Sequence, residues 1–322
     1  MEKMDAKLTL ALIERNVSEI LPFFYDDTTE DIMVNPDGQL WINSSDKGMY
    51  NTNIVIDPKK REDFVKIIAS SCGTLANIEN PVLTCTLPIW GCRFEGHIPP
   101  VVHEAGFAIR VGTKVEFSLD DYVQSDILSD YHCQVIREAI KSRKNILIVG
   151  GTGSGKTTLT NALLKEFKNS SDRFVILQDS DELQCPAQNK YEMFSTDTVT
   201  IDDLVASTLR LFPKRIVVGE IRRPPAAYDF LNSAMSGHPG SMTTMHADSV
   251  LDALLRLQLL LETLLKAPQG FIARAVDLIV FIERNGLKRK ISQVAMCSGH
   301  ELDANGNSNF ILHYYKEKKN DV

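Results

Sequence analysis

The chain has 322 residues, 43% of them hydrophobic and 24% charged, enough for roughly two domains with buried cores. A net charge of −7 and a pI of about 5.6 argue against a broad basic face for nucleic acid. The cysteines at 72, 85, 92, 133, 185 and 297 include no C-x-x-C pair, which sets aside a zinc site of the usual spacing and reads as reduced thiols of a cytosolic protein.

The opening Met-Glu-Lys-Met-Asp lacks the apolar run of a signal peptide, and no apolar stretch is long enough for a transmembrane segment. Leu10, Ile13, Val17, Ile20 and Leu21 fall at helical spacing and predict an amphipathic helix. Residues 31–35, the turn Pro36-Asp37-Gly38 and residues 39–43 predict a hairpin. A helix over 59–76, with strands near Val82, near Arg93-Phe94 and over 107–110, completes a small α+β domain spanning 1–112. Residues 113–121 have few core-forming runs and read as a linker.

From 122 to 322 the rhythm changes. A helix over about 126–142 leads to a buried strand at 145–149, a glycine loop, a helix over 155–168 and a strand at 173–177. Thr200 with Asp203 has capping-box spacing and opens another helix, and a strand follows at 215–218. Strands alternating with helices predict an α/β domain of the doubly wound class, its sheet covered on both faces. The Lys316-Glu-Lys-Lys-Asn-Asp tail reads as a solvated end.

Gly150-Gly151-Thr152-Gly153-Ser154-Gly155-Lys156-Thr157 fits G-x-x-x-x-G-K-[ST], with an apolar strand before it and a helical pattern after it, from Thr158 onward. Glycines let backbone N–H groups turn inward around phosphate oxygens, and the helix adds its positive end. Lys156 would neutralise the β- and γ-phosphates of ATP, and the Thr157 hydroxyl would ligate Mg²⁺. Turnover also needs a group to orient water. Glu220, past the apolar strand at 215–218, is the candidate, against the plainer reading of a strand-end carboxylate in solvent. Asp179, Asp181 and Glu182 follow the strand ending at Leu177 and are either Mg²⁺ ligands through water or ordinary turn residues. His246, past Thr243-Thr-Met, could donate to a γ-phosphate. Arg93 and Arg110 read by themselves as surface charges.

Assembled, these motifs resemble the secretion traffic ATPases, and within them the TrbB-type ATPases of plasmid conjugation. The likeness runs over nearly the whole chain. It includes Asp31 to Asn43, Arg93-Phe-Glu-Gly96 with Pro99 to Val102, Phe117 to Val123, and Asn145 to Leu164. It continues through Asp181-Glu-Leu-Gln184, Gly219-Glu-Ile-Arg222 and Gly237-His-Pro-Gly240 to His246-Ala247. The resemblance implies a PAS-like first domain on a RecA-like P-loop ATPase domain, assembled as a hexamer with nucleotide between the domains. It implies that Arg93 and Arg110 reach the phosphates. The family's aspartate box maps onto Asp179 to Glu182, its Walker B glutamate onto Glu220 and its histidine box onto Gly237 to His246. Expected partners are further copies of the chain and proteins of an inner-membrane secretion or conjugation machine, without direct nucleic-acid binding, at the cytoplasmic face of that membrane. Two positions depart from the pattern: Gln178-Asp179 opens the aspartate box with one carboxylate missing, and Phe212 stands where relatives often have arginine. A pilus or type II secretion motor and a nucleotide-responsive scaffold with little turnover are the alternatives; a four-cysteine metal insertion common in assembly-type motors is lacking. The acidic balance disfavours a helicase or packaging motor.

Overall fold

The computed structural model describes residues 6–87, 89, 91–111, 117–196, 198–302 and 308–316. The chain divides into two compact units, Met1–Val115 with Ser180–Glu182, and Glu116–Asp179 with Leu183–Val322.

The first unit opens with α1 (Ala6–Val17), a 3-10 turn (Ser18–Ile20) and α2 (Leu21–Tyr25). The periodicity predicts one helix here. Pro22, which lacks an N–H, enters at the start of α2, after the chain has already tightened into the 3-10 turn. Strands β1 (Thr29–Val34), β2 (Gln39–Ser44) and β3 (Gly48–Val55) form a meander. The predicted turn between the first two holds: the Asp37 carboxylate accepts from Gln39 N at 2.9 Å, and Gly38 N donates to Asn35 O at 2.8 Å. Helix α3 (Pro58–Ser71) starts on an Asp57 cap and ends at Cys72–Gly73, earlier than its apolar pattern suggests, with Gly73 at φ 76°. Strands β4 (Val82–Thr86), β5 (Arg93–His97) and β6 (Gly106–Arg110) complete an antiparallel sheet of order β3-β2-β1-β6-β5-β4. Phe64 of α3 packs on Phe94 and Phe107 with ring centroids 5.8 and 5.1 Å away. Arg61, 1% exposed, is held in this core by Asn35, Pro36 and Ala105 carbonyls and the Glu104 carboxylate.

The second unit begins with α4 (Leu119–Gln124), capped reciprocally by Ser118 and Asp121, so the end of the segment read as a linker is helical. Residues 113–116, the start of that segment, lie outside the described residues, as do residue 112 before it and the tail beyond 316. Then come α5 (Asp130–Lys141), β7 (Ile146–Val149), α6 (Lys156–Lys165), β8 (Phe174–Gln178) and β9 (Lys190–Phe194). Helix α7 (Ile201–Thr208) has the predicted Thr200–Asp203 capping box. It is followed by β10 (Arg215–Val218), α8 (Pro224–Met235), β11 (Met242–Met245), α9 (Val250–Leu261) and α10 (Gln269–Ala275). Strands β12 (Leu278–Asn285), β13 (Lys288–Leu302) and β14 (Ser308–Tyr314) close the chain.

The sheet order is β14-β13-β12-β7-β11-β10-β8-β9. From β12 to β9 every pair is parallel; β13 and β14 add an antiparallel border. Alternate residues of each central strand feed two cores. Ile146, Ile148 and Val280 pack with α5 and α6 on one face, and Leu147, Val149 and Ile279 with α8, α9 and α10 on the other. Both faces are covered, as the apolar runs predict. Asn145 ties the starts of three neighbouring strands together. Its amide donates to Ala275 O at 3.0 Å, and its side-chain oxygen accepts from Gly240 N and Ser241 N at 2.9 and 3.1 Å.

Candidate nucleotide site

Four parallel strands, β7, β11, β10 and β8, end side by side. In such sheets the carboxyl ends of the strands open onto the ligand crevice. Here they deliver the glycine loop, His246, Glu220 and Asp179, respectively.

The loop between β7 and α6 turns on two left-handed glycines, Gly153 at φ 69° and Gly155 at φ 96°, the latter capping α6. Gly150 is required for a different reason: a Cβ there would stand 2.2 Å from Ile282 O and 2.5 Å from Ser154 Oγ. Ser154 is buried beneath the loop, Thr152 is exposed, and Thr157 and Thr158 are half-buried in the first turn of α6. The helix thus points unpaired N–H groups and its positive end toward the loop, the arrangement that receives phosphate.

Lys156 is only 8% exposed. Its Nζ donates to Gly150 O and Gly151 O, both at 2.9 Å, and lies 3.1 Å from His246 Nδ1. An ammonium can only donate, so Nδ1 accepts and the His246 proton resides on Nε2. Burial lowers the Lys156 pKa to about 8; Glu220 opposes that shift, and Arg222 adds to it. His246 is likewise lowered, first by burial and then by the Lys156 charge. Its Nε2 lies 3.0 Å from Glu220 Oε1. Among the described residues that oxygen has no aligned hydrogen-bond donor, so the contact is an electrostatic one at short range.

The other Glu220 oxygen accepts from Arg222 Nε at 2.7 Å, and Arg222 Nη1 reaches Asp179 at 3.3 Å. Asp179 also accepts from Ser195 Oγ at 2.7 Å. Lys156, His246, Glu220, Arg222 and Asp179 therefore form one continuous polar chain along the strand ends. Thr244 Oγ1 supports it by donating to Gly219 O at 2.7 Å.

In the first unit, Arg93 meets Glu182 at 2.9 Å and donates through Nε to Ser180 Oγ at 2.9 Å. Arg110 donates through Nε to Asp31 at 3.1 Å. The two departures from the family pattern have structural readings. Gln178 is buried and accepts from Leu183 N at 2.7 Å, turning the chain into the segment that follows. Phe212 is 82% exposed in the left-handed region, at φ 54°. Arg222 is the residue a sequence reading passes over. An arginine just past a strand end looks like a surface charge until the fold shows it between two carboxylates.

A strand, a glycine loop with a buried lysine, a helix and a carboxylate just past the end of another parallel strand of the same sheet define the P-loop class of nucleotide-binding proteins. The description "Type II/IV secretion system protein" matches residues 92–300, and the chain belongs to that family. The conjugal transfer protein TrbB of Rhizobium radiobacter is 40% identical over 299 residues, covering 92% of this chain and 90% of that protein. The type IV secretion system protein VirB11 of Bartonella quintana is 28% identical over 338 residues, covering 89% and 93%. Among solved structures, the ATPase DotB of Legionella pneumophila superposes with a TM-score of 0.61, covering 98% of this chain and 82% of that one. At 16% identity it shows the shared fold alone. No described helix is long and apolar enough to cross a membrane.

Proposed function

We propose that the chain is a ring-forming ATPase that powers conjugative transfer through a type IV secretion machine. The observation that carries this reading is the convergence of Lys156, His246 and Glu220 within 3.1 Å contacts at the ends of β7, β11 and β10. The loop amides and Lys156 bind the phosphates. Glu220, its carboxylate oriented by Arg222, aligns the attacking water, and His246 contacts the γ-phosphate through Nε2–H. In this reading the second unit is a RecA-like domain and the first a PAS-like one. Residues 1–112 and 122–322 form the functional domains, joined through 113–121. Arg93 and Arg110 supply cations to the phosphates, with Glu182 holding Arg93 until they do so. Several copies, six by the resemblance, form the ring. It works in the cytoplasm against inner-membrane machine proteins rather than on nucleic acid.

Magnesium takes hard oxygen donors, one or two from the protein and the rest from phosphate and water. Thr157, adjoining Lys156, and Asp179, anchored by Ser195 and Arg222, offer that donor set, with Glu182 as a further carboxylate. The ion would neutralise charge on the β- and γ-phosphates.

Phosphate release by wild type and Glu220→Gln tests the proposal. We expect turnover to fall about 100-fold or more, the usual worth of such a group, with ADP affinity retained. Equal, near-zero rates in both proteins with intact ATP binding would leave a nucleotide-responsive scaffold instead.

A further inference from the structure

The sheet order gives the glycine loop two sides. Strands β11, β10 and β8 lie on one side of β7 and carry His246, Glu220 and Asp179; β12 and β13 lie on the other. The β12–β13 hairpin turns at Gly286-Leu287, and its register sets Arg284 directly opposite Arg289. Both arginines share the sheet face of Ile282 and Ile291, which pack in the same core as α6. That face brings them to the loop. Arg284 Nη1 lies 3.4 Å from where a Cβ would stand on Gly153, and Arg289 Cδ and Nε lie 3.4 and 3.5 Å from the corresponding point on Gly155. Arg284 Nε donates to Gly286 O at 3.0 Å, so the hairpin's own turn sets the plane of its guanidinium.

Like charges directly across an antiparallel pair repel, and this hairpin places two of them beside a loop built to receive anions. Within residues 283–290, Lys288 and Lys290 add further positive charge and Glu283 is the one acidic residue, in a chain whose net charge is −7. With the γ-phosphate facing Glu220 and His246, a triphosphate laid along the loop directs its other end toward β12 and β13. We propose that Arg284 and Arg289 bind the nucleoside-proximal phosphate of a nucleoside di- or triphosphate, the α-phosphate, on the flank opposite the hydrolytic groups. The planar, permanently charged guanidinium suits that contact. This inference rests on reading the loop as a nucleotide cradle.

The test uses the full chain: wild type, Arg284→Gln, Arg289→Gln, their double variant and the Arg→Lys counterparts. Each is titrated calorimetrically with ADP, ATP and inorganic pyrophosphate, alongside a thermal melt. Each Gln variant should bind ADP and ATP about tenfold more weakly, by the same factor for both, as expected for one charge-assisted contact. The loss should appear in KM for ATP, and the Lys variants should recover part of it. Pyrophosphate binding that falls as much as ADP binding would mean that these arginines serve any phosphate in the loop, and would overturn the α-phosphate assignment. ADP affinity within twofold of wild type in the double variant, or a loss confined to ATP, would also overturn it. If a Gln variant fails to fold, the Lys variant decides: ADP affinity within twofold of wild type at low salt, where the fork geometry alone has changed, counts against the contact. A wild type that binds neither ADP nor ATP would instead remove the nucleotide reading itself.

Discussion

Raising the pH from 7 to 9 should strip the phosphate loop of its main cation. Burial places Lys156 near a pKa of about 8, below the ordinary lysine value of 10.5. At pH 7 roughly ten molecules in eleven then carry the charge; at pH 9 roughly one in eleven does. The direction is that of a base depressed by folding: the cation is present below about 8 and lost above it. The folded state also binds fewer protons than the unfolded one between about 8 and 10.5, so this group makes the fold more stable as pH rises through that window. A bound triphosphate favours the charged form, so binding at pH 9 must draw a proton from solution. Nucleotide affinity should fall close to tenfold between pH 7 and 9, about 1.4 kcal/mol. His246, lowered by burial and by Lys156 itself, stays neutral across this range and adds nothing to the slope. The assay is calorimetric titration with ADP at pH 7, 8 and 9, in two buffers of different ionisation heat at fixed ionic strength. Proton uptake should approach one per site at pH 9 and be near zero at pH 7. Glu220 supplies the charge that raises Lys156, so Glu220→Gln should move the midpoint lower. A flat affinity with no proton uptake would refute the argument.

Asn145→Ala should destabilise the second unit by about 3 kcal/mol, because it strips partners from Ala275 O, Gly240 N and Ser241 N, and orphaned buried backbone groups cost about 1–3 kcal/mol each. The denaturant midpoint should drop with the slope unchanged; a shift worth less than about 1 kcal/mol would contradict the clamp. Phe212→Asn should raise stability by about 0.5–1 kcal/mol, since Phe212 is exposed and left-handed and asparagine tolerates that conformation better. A lowered melting temperature would show that the exposed ring has a partner or a packing role.

The phosphate loop was legible because its parts are contiguous: strand, glycines, lysine and helix follow one another in the chain. Glu220 and His246 were legible one step further on, because each follows a short apolar or β-branched strand and parallel strands end together. Arg222, Arg284 and Arg289 were not. Their roles depend on which strand lies beside which and, for the last two, on a hairpin register, and nothing local reports either. The antiparallel border of β13 and β14 is hidden for a related reason: Lys288 to Leu302 mixes charged and apolar residues without a clean alternation. The helix at Leu119 is a different case. The Ser118-to-Asp121 spacing is the same kind of signal as Thr200-to-Asp203, but without a long apolar pattern behind it six residues read as a connector. Buried Arg61 shows the limit in the first unit, since the converging carbonyls of Asn35, Pro36 and Ala105, with the Glu104 carboxylate, make a charged side chain welcome there.

The amide of Asn145 gives the second unit a stiff floor. Strand β7 and the segments entering β11 and β12 are riveted at their lower ends by one side chain, a few residues below the edge where phosphate chemistry is proposed. A platform fastened this way has little room to shear between neighbouring strands. Any mechanical stroke drawn from hydrolysis would therefore have to leave the sheet through the loops above it, carrying movement outward while the catalytic groups keep their spacing from one cycle to the next.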